Sequence, residues 1–68
     1  MSYPKLRGKI REKYGTQEAF SKALGKSNTT VSGKLNGRTE WDRQEIEDAC
    51  KLLDIPLADA FDYFTPAL

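Results

Sequence analysis

Histidine is absent from this 68-residue chain, and cysteine occurs once, at Cys50. A lone cysteine cannot form an internal disulfide, and a reduced thiol most simply indicates a cytoplasmic protein. Without histidine or a Cys/His cluster, the sequence offers no structural zinc site and little general acid–base chemistry. We therefore predict no metal, no cofactor and no enzymatic activity, with Cys50 serving only in packing.

Long apolar runs and alternating apolar–polar segments are also missing. No stretch approaches the length of a membrane span or of a signal-peptide core, so no membrane association is expected. The lack of a sustained two-residue period predicts an all-α fold. A chain this short buries only about 60% of its unfolded surface. We therefore expect one domain, residues 1–68, in which nearly every apolar residue contributes to the core.

Charge is plentiful but unevenly distributed. Residues 1–38 contain nine Lys or Arg and two Glu, a net charge of +7, whereas residues 39–68 carry a net charge of −6. A basic end of this kind suits a polyanion, with the acidic end facing away from it. The alternative is a solvated surface on which the charges happen to segregate.

Start and stop signals divide the chain into a series of short helices. The first begins at Pro4 and ends at Gly15, and the second has Thr16 as its N-cap and ends at Gly25. The third begins after Ser27 and is stopped by Gly37. The residues predicted to face the core in these helices are Tyr3, Leu6, Ile10, Tyr14, Phe20, Ala23, Leu24, Val31 and Leu35.

The fourth helix has the clearest start. Asp42 and Glu45 form a predicted capping box, and Trp41 and Ile46 stand at the positions of a hydrophobic staple. Its inward stripe is Ile46, Ala49, Cys50 and Leu53, and Pro56 prevents its continuation. The last segment carries the apolar residues Ile55, Leu57, Phe61, Tyr63, Phe64 and Leu68. They either cover the small core or form a self-complementary patch for a twofold dimer.

The second and third predicted helices, residues 17–24 and 28–36, are joined by Gly25-Lys26-Ser27. A three-residue turn that begins with Gly is typical of a helix-turn-helix. The outer face of the third helix is short and polar, which costs helix propensity but suits the DNA major groove. The residues predicted to read bases are Asn28, Thr29, Ser32 and Gly33. The alternative interpretation is an ordinary solvated helix face.

Phosphate contacts are expected around this face. Gln17 stands at the positive N-terminal end of the second helix, where a phosphate can also accept from free N–H groups. The complete predicted set is Gln17, Lys26, Ser27, Lys34, Asn36 and Arg38. For the two lysines, the alternative is that they are ordinary surface residues.

The segment QEAFSKALGKSNTTVSGKLNG, residues 17–37, resembles the helix-turn-helix of Cro- and cI-type phage repressors and of the wider Xre-like family. With LRGKIREKYG before it and KLNGRTEW at its end, it looks like small Cro-like proteins of prophages in Gram-positive bacteria. The resemblance implies a five-helix, lambda-repressor-like DNA-binding domain with the third helix in the major groove. This chain departs from the family pattern at Ser21, Lys26 and Lys34, where Ala or an apolar residue is usual.

Two classes of function follow. The first is a sequence-specific regulator that binds double-stranded DNA and represses transcription by occupying an operator. It would have no small-molecule effector and would form a weak homodimer mainly on DNA. The second is an antitoxin-like or accessory module that uses the same fold to bind a protein. DNA binding should weaken steeply with salt, whereas an ordinary protein interface should respond weakly.

Overall fold

A computed structural model describes residues 3–65 of the chain. These residues form five α-helices: α1 (Pro4–Tyr14), α2 (Gln17–Leu24), α3 (Asn28–Leu35), α4 (Arg43–Leu53) and α5 (Ala60–Tyr63). A 3-10 turn, Leu57–Asp59, leads into α5. No strand occurs in the described part of the chain, so the predicted all-α, five-helix fold is confirmed.

The helix starts follow the predicted capping signals. Pro4 occupies the first turn of α1, and the hydroxyl of Thr16 accepts the backbone N–H of Ala19 at the start of α2. Ser27 accepts the N–H of Thr30 in the same way at the start of α3. These bonds satisfy N–H groups that have no partner within the helix. Hydrogen bonds between residues close in the chain therefore stabilise the short connections between these helices.

Gly25 closes α2 with a left-handed backbone. Its φ of 80° lies where a residue with a Cβ is strained. Its N–H donates to the carbonyl oxygen of Lys22, and the N–H of Lys26 donates to that of Ser21. The turn brings α3 back against α2, and α2 also packs on α1 and α4. This arrangement fixes which face of α3 remains outside.

The core lies where α1–α4 meet. Its fully buried side chains include Leu6, Phe20, Val31, Leu35 and Leu53. The predicted inward stripes are confirmed except at Ala23, which is exposed. Ser21 is buried in α2 instead, and its hydroxyl donates to the carbonyl oxygen of Gln17 at 2.9 Å. A hydroxyl satisfied within its own helix can be buried at little cost.

Aromatic rings join the start of α1 to the end of α5. The Trp41 ring packs edge-on against Tyr3 and Phe64, with centroids 6.4 and 5.2 Å away. This geometry is the favourable one for aromatic pairs. Trp41 is therefore a core residue, as predicted, and it packs between the start of α1 and the end of α5.

The last segment divides between core and surface. Ile55 is buried, and Tyr63 and Phe64 are partly buried against the core. Leu57 and Phe61 are 62% and 81% exposed. Leu68, which the sequence placed among the dimer candidates, lies outside the described residues. The core interpretation is thus confirmed for Ile55 and Phe64, and the dimer patch stays a prediction.

Candidate nucleic-acid interface

The N-terminal end of α3 is exposed, and its first residue, Asn28, is bonded to α2. Asn28 and Thr29 are both exposed, while Ser32 and Gly33 are partly buried one turn further along. The side-chain amide of Gln17 donates to the Asn28 side-chain oxygen at 2.8 Å. Two predicted DNA-contacting residues are therefore in direct contact. The bond orders Asn28 and leaves its amide N–H groups as the outward donors.

The C-terminal end of α3 is held by α1. The guanidinium of Arg7 donates to the carbonyl oxygen of Leu35 at 2.7 Å and to the side-chain oxygen of Asn36 at 2.9 Å. The Asn36 amide in turn donates to the hydroxyl of Ser32 at 3.4 Å. Charged donors at a helix C-terminus satisfy its free carbonyl groups and complement its dipole. Asn36 is thus a helix-end residue that also lies beside the predicted interface.

A buried carboxylate holds the inner side of α3. Glu45 has a side chain only 6% exposed, and its Oε1 lies 2.8 Å from Nζ of Lys34. The same oxygen accepts the backbone N–H of Asp42, which completes the predicted capping box. Oε2 lies 3.7 Å from Nζ of Lys26, in the turn before α3. One side chain therefore links the turn, α3 and α4.

Lys34 does not lie on the predicted DNA surface. Its side chain is 11% exposed, and its Nζ also donates to the carbonyl oxygen of Glu40 and lies 5.9 Å from the centroid of the Trp41 ring. An ammonium group this enclosed needs such partners, because burial of an unpaired charge is very costly. The structure therefore removes Lys34 from the predicted phosphate contacts. Leu35, its neighbour, is buried as well.

The other predicted phosphate ligands remain at the surface. Lys26 is 43% exposed, despite its distant pairing with Glu45. Arg38 is exposed, and so is Ser27, although its hydroxyl is used as the N-cap of α3. Lys22 is exposed in the last turn of α2, just before the turn. The basic residues Lys22, Lys26 and Arg38 thus stand on segments that flank α3.

A family model matches residues 1–66, and its description is "Protein of unknown function (DUF739)". The chain belongs to the DUF739 family. Among solved structures, this DUF739 chain is similar to the solution structure of the modulator of repression (MOR) of the temperate bacteriophage TP901-1 from Lactococcus lactis. The two are 45% identical, with a TM-score of 0.82, and the match covers 91% of this chain and 84% of MOR. Among curated proteins, no sequence matches this chain.

Two residues that organise α3 in this DUF739 chain were not recognised from the sequence as doing so. Arg7 follows the buried Leu6 on α1, and Glu45 was identified only as a helix cap. A signal existed for Glu45, since the capping position lies one residue before the inward-facing Ile46. The identity of its partner Lys34 depends on tertiary packing, which the sequence pattern does not give.

Other features of this DUF739 chain lie away from α3. Burial raises the pKa of the Cys50 thiol, which disfavours the reactive thiolate. Within residues 3–65, no cluster of His, Cys, Asp and Glu could hold a metal ion. No helix in that range has the length and apolar character needed to cross a membrane.

Proposed function

We propose that this chain is a phage regulator that binds double-stranded DNA sequence-specifically with α3 in the major groove. It acts in the bacterial cytoplasm, as one domain over residues 1–68, and represses transcription by occupying an operator. The observation that carries the proposal is the exposed polar N-terminal end of α3, formed by Asn28 and Thr29 and flanked by basic residues. The similarity to a phage modulator of repression supports a regulatory role.

Each group has a defined part in this proposal. Asn28 and Thr29 read base edges, while Ser32 and Gly33 let the helix lie close to the groove. The phosphates beside the groove are contacted by the remaining predicted ligands, namely Gln17, Lys26, Ser27, Asn36 and Arg38. Because Gln17 bonds to Asn28, it also holds a base-reading side chain in place.

Selection of binding sites from random duplexes about three helical turns long is the first test of this proposal. Enrichment of an inverted repeat would support specific readout by a dimer with two half-sites. A single unrepeated motif would support the regulator without the dimer. If the folded protein enriches no sequence, the DNA-binding proposal is wrong.

Truncation of the proposed base readers tests their assignment. Asn28→Ala and Thr29→Ala should each reduce affinity for the selected site by roughly 1–3 kcal/mol. Gln44→Ala, which removes an exposed amide from α4, is the matched control and should leave affinity unchanged. Unchanged affinity in both α3 variants, measured by fluorescence anisotropy, would contradict the assignment.

A weak homodimer that forms mainly on DNA is part of the proposal. Its support is the exposed ring of Phe61, which stands between two shallow grooves on the surface of α5. Phe61→Ser should abolish cooperative binding to a two-half-site duplex but leave binding to a single half-site intact. Equal cooperativity in the variant and the parent protein would exclude this surface as the dimer contact.

A second candidate is a regulator that acts through a protein partner. The name of the similar phage protein, a modulator of repression, describes an effect on repression and favours this candidate as well. Salt dependence separates the two. DNA affinity should fall with a log–log slope of about −0.9 per phosphate neutralised, whereas a protein complex of ordinary composition should respond weakly.

A further inference from the structure

The outward face of α3 has a gap one turn after Thr29. Residues four apart lie on the same side of a helix, so Gly33 follows Thr29 along the surface assigned to the major groove. Asn28 and Thr29 have side chains that can contact base edges, whereas Gly33 has none. Glycine also weakens the helix relative to alanine. Gly33 therefore leaves space on this face and supplies no side chain of its own to a base.

The hydroxyl of Thr39, in the loop after α3, lies over this gap. Its Oγ1 is 3.8 Å from the position that a Cβ atom on Gly33 would take, and among the described residues it is the nearest atom from outside the helix. Thr39 is exposed, whereas Gly33 is partly buried. A separation of 3.8 Å is ordinary van der Waals contact. The Thr39 hydroxyl thus covers the space that a longer side chain on α3 would fill.

Hydrogen bonds on both sides of Thr39 hold the loop against α3. Just before it, the backbone N–H of Arg38 donates to the carbonyl oxygen of Gly33 at 2.9 Å. Just after it, the carbonyl oxygen of Glu40 accepts a hydrogen bond from Nζ of Lys34 at 3.1 Å. Lys34 is itself buried, so this second bond lies in a fixed part of the fold. The position of Thr39 relative to the helix is therefore defined by the protein itself.

The hydroxyl of Thr39 is available to a partner. The chain has five threonines, and three of them use their hydroxyls within the protein, namely Thr16, Thr30 and Thr65. Within residues 3–65, the hydroxyls of Thr29 and Thr39 form no hydrogen bond. These two unbonded hydroxyls both lie on the outward face of α3. Thr39 thus resembles Thr29 in the chemistry that it offers to DNA.

We propose that Thr39 reads a base pair in the major groove, in place of the side chain that Gly33 lacks. The inference rests on the proposed function and adds a loop residue to the base readers on α3. A threonine hydroxyl can donate to or accept from a base edge, and its methyl group can contact the methyl group of thymine. A base is the expected partner because the hydroxyl covers the face of α3 that would enter the groove, whereas the phosphates lie at the edges of the groove.

Thr39→Ala tests this assignment, because alanine removes both the hydroxyl and the methyl group. Each base pair of the selected site is replaced in turn, and affinities are measured by fluorescence anisotropy. Thr39→Ala should bind the selected site about fivefold more weakly, the lower end of the range for a base contact. It should also lose the preference of the parent protein at one base pair and keep the preferences at the others. Thr39→Ser and Thr39→Val then show whether the hydroxyl or the methyl group carries that preference.

Thr30→Ala is the matched control. Thr30 is also an exposed threonine of this region, but its hydroxyl is bonded to Ser27, so the variant should keep the preference at every base pair. Two results would overturn the inference. The first is a Thr39→Ala variant that keeps every base preference. The second is a variant that binds the selected site and random duplex more weakly by the same factor, which would make Thr39 a contact of the DNA backbone only.

Substitutions of Gly33 test the geometry. Gly33→Ala adds a Cβ that fits at ordinary contact distance from Thr39, so the base preferences should be retained. Gly33→Gln places a long side chain in the space that the Thr39 hydroxyl covers, so the preference should change at the base pair identified with Thr39→Ala. Adding Thr39→Ala to Gly33→Gln should then have no further effect at that base pair. Independent, additive effects would show that the two residues do not share one space and would overturn the inference.

Asn28→Ala separates failure of this inference from failure of the proposed function. If Asn28→Ala loses a base preference and Thr39→Ala loses none, α3 reads DNA and only the assignment of Thr39 is wrong. If the folded parent protein enriches no sequence from random duplexes, the proposed function is wrong and the inference about Thr39 is wrong with it.

Discussion

At its N-terminal end α3 presents Asn28 and Thr29 to solvent, whereas at its C-terminal end Lys34 and Leu35 are buried. At the exposed end, the Gln17 amide donates to the side-chain and backbone oxygens of Asn28, and the Ser27 hydroxyl accepts the N–H of Thr30. At the buried end, Nη2 of Arg7 donates to the Leu35 carbonyl oxygen and to the Asn36 side-chain oxygen, and Lys34 forms an ion pair with Glu45. This eight-residue helix is thus held by uncharged hydrogen bonds at its exposed end and by charged groups at its buried end.

This difference separates stability from binding along a single helix. Isolated helices of this length are marginal in water, so α3 depends on the contacts at its buried end. With that end fixed, the exposed end can carry residues of poor helix propensity. We therefore expect substitutions at the two ends to affect different measurements.

The largest expected effect comes from breaking the buried ion pair. Glu45→Gln keeps a side chain that can cap α4 but leaves the Lys34 ammonium without its carboxylate. Loss of one partner of a buried pair typically costs about 3–5 kcal/mol of unfolding free energy. Urea denaturation followed by circular dichroism measures this change.

The double variant Lys34→Met/Glu45→Gln is the control for that prediction. Methionine has a similar length and removes the buried charge, so most of the lost stability should return. If Glu45→Gln unfolds at the same urea concentration as the parent protein, the pair does not hold the C-terminal end of α3.

A smaller loss of stability is expected at the α1 contact. Arg7→Met keeps the apolar stem but removes the donors to Leu35 and Asn36, and charged hydrogen bonds of this kind contribute about 1.5–3 kcal/mol. Partial exposure places Arg7 toward the lower end of that range. Lys5→Met, at an exposed position of α1, is the control in the same urea measurement. Equal midpoints for the two variants would contradict the anchoring role.

At the exposed end, the effect on stability should be small and opposite in sign. Alanine has the higher helix propensity, so Thr29→Ala should raise the unfolding free energy by up to about 0.5 kcal/mol. The same variant is expected to bind the selected DNA site more weakly. A clear loss of stability would show that Thr29 is structural and would weaken the contrast between the two ends.

The smallest effect is expected from an ion pair far from α3. Lys13 donates to Asp54 at 2.9 Å. This hydrogen bond and the opposite charge of the partner lower the pKa of Asp54 and raise the pKa of Lys13. A lowered carboxyl pKa stabilises the fold above the ordinary value of about 3.9. That contribution is lost as pH falls through the pKa of the folded state.

Asp54→Asn tests this pH dependence at a site where asparagine tolerates the left-handed backbone, φ 56°. The parent protein should lose slightly more stability than the variant between pH 5 and 3, by roughly what an exposed pair allows. The raised pKa of Lys13 predicts a corresponding loss only above about pH 10.4, the ordinary lysine value. If the unfolding free energies of the two proteins change in parallel with pH, the Lys13–Asp54 pair does not contribute to stability.

Local signals in the sequence predicted most of the fold. The capping box of Asp42 and Glu45, the N-caps Thr16 and Ser27 and the inward stripes depend on residues close in the chain. Lys34 illustrates what such signals omit. Its burial requires Glu45 and the Glu40 carbonyl to come together around it, and both lie on later segments. The assignment of Asn28 and its neighbours to DNA stays a prediction.

Trp41 gives the protein an internal optical reporter. It is the only tryptophan, and its ring touches Tyr3 and Phe64 and lies near the Lys34 ammonium. Its emission maximum should therefore shift to longer wavelength when α1 or α5 separates from the ring or when the Lys34–Glu45 ion pair is broken. Asn28 and Thr29 lie outside these contacts, so a ligand bound to this end of α3 should leave the emission maximum unchanged. One fluorescence titration can thus distinguish binding of a ligand from unfolding of the protein.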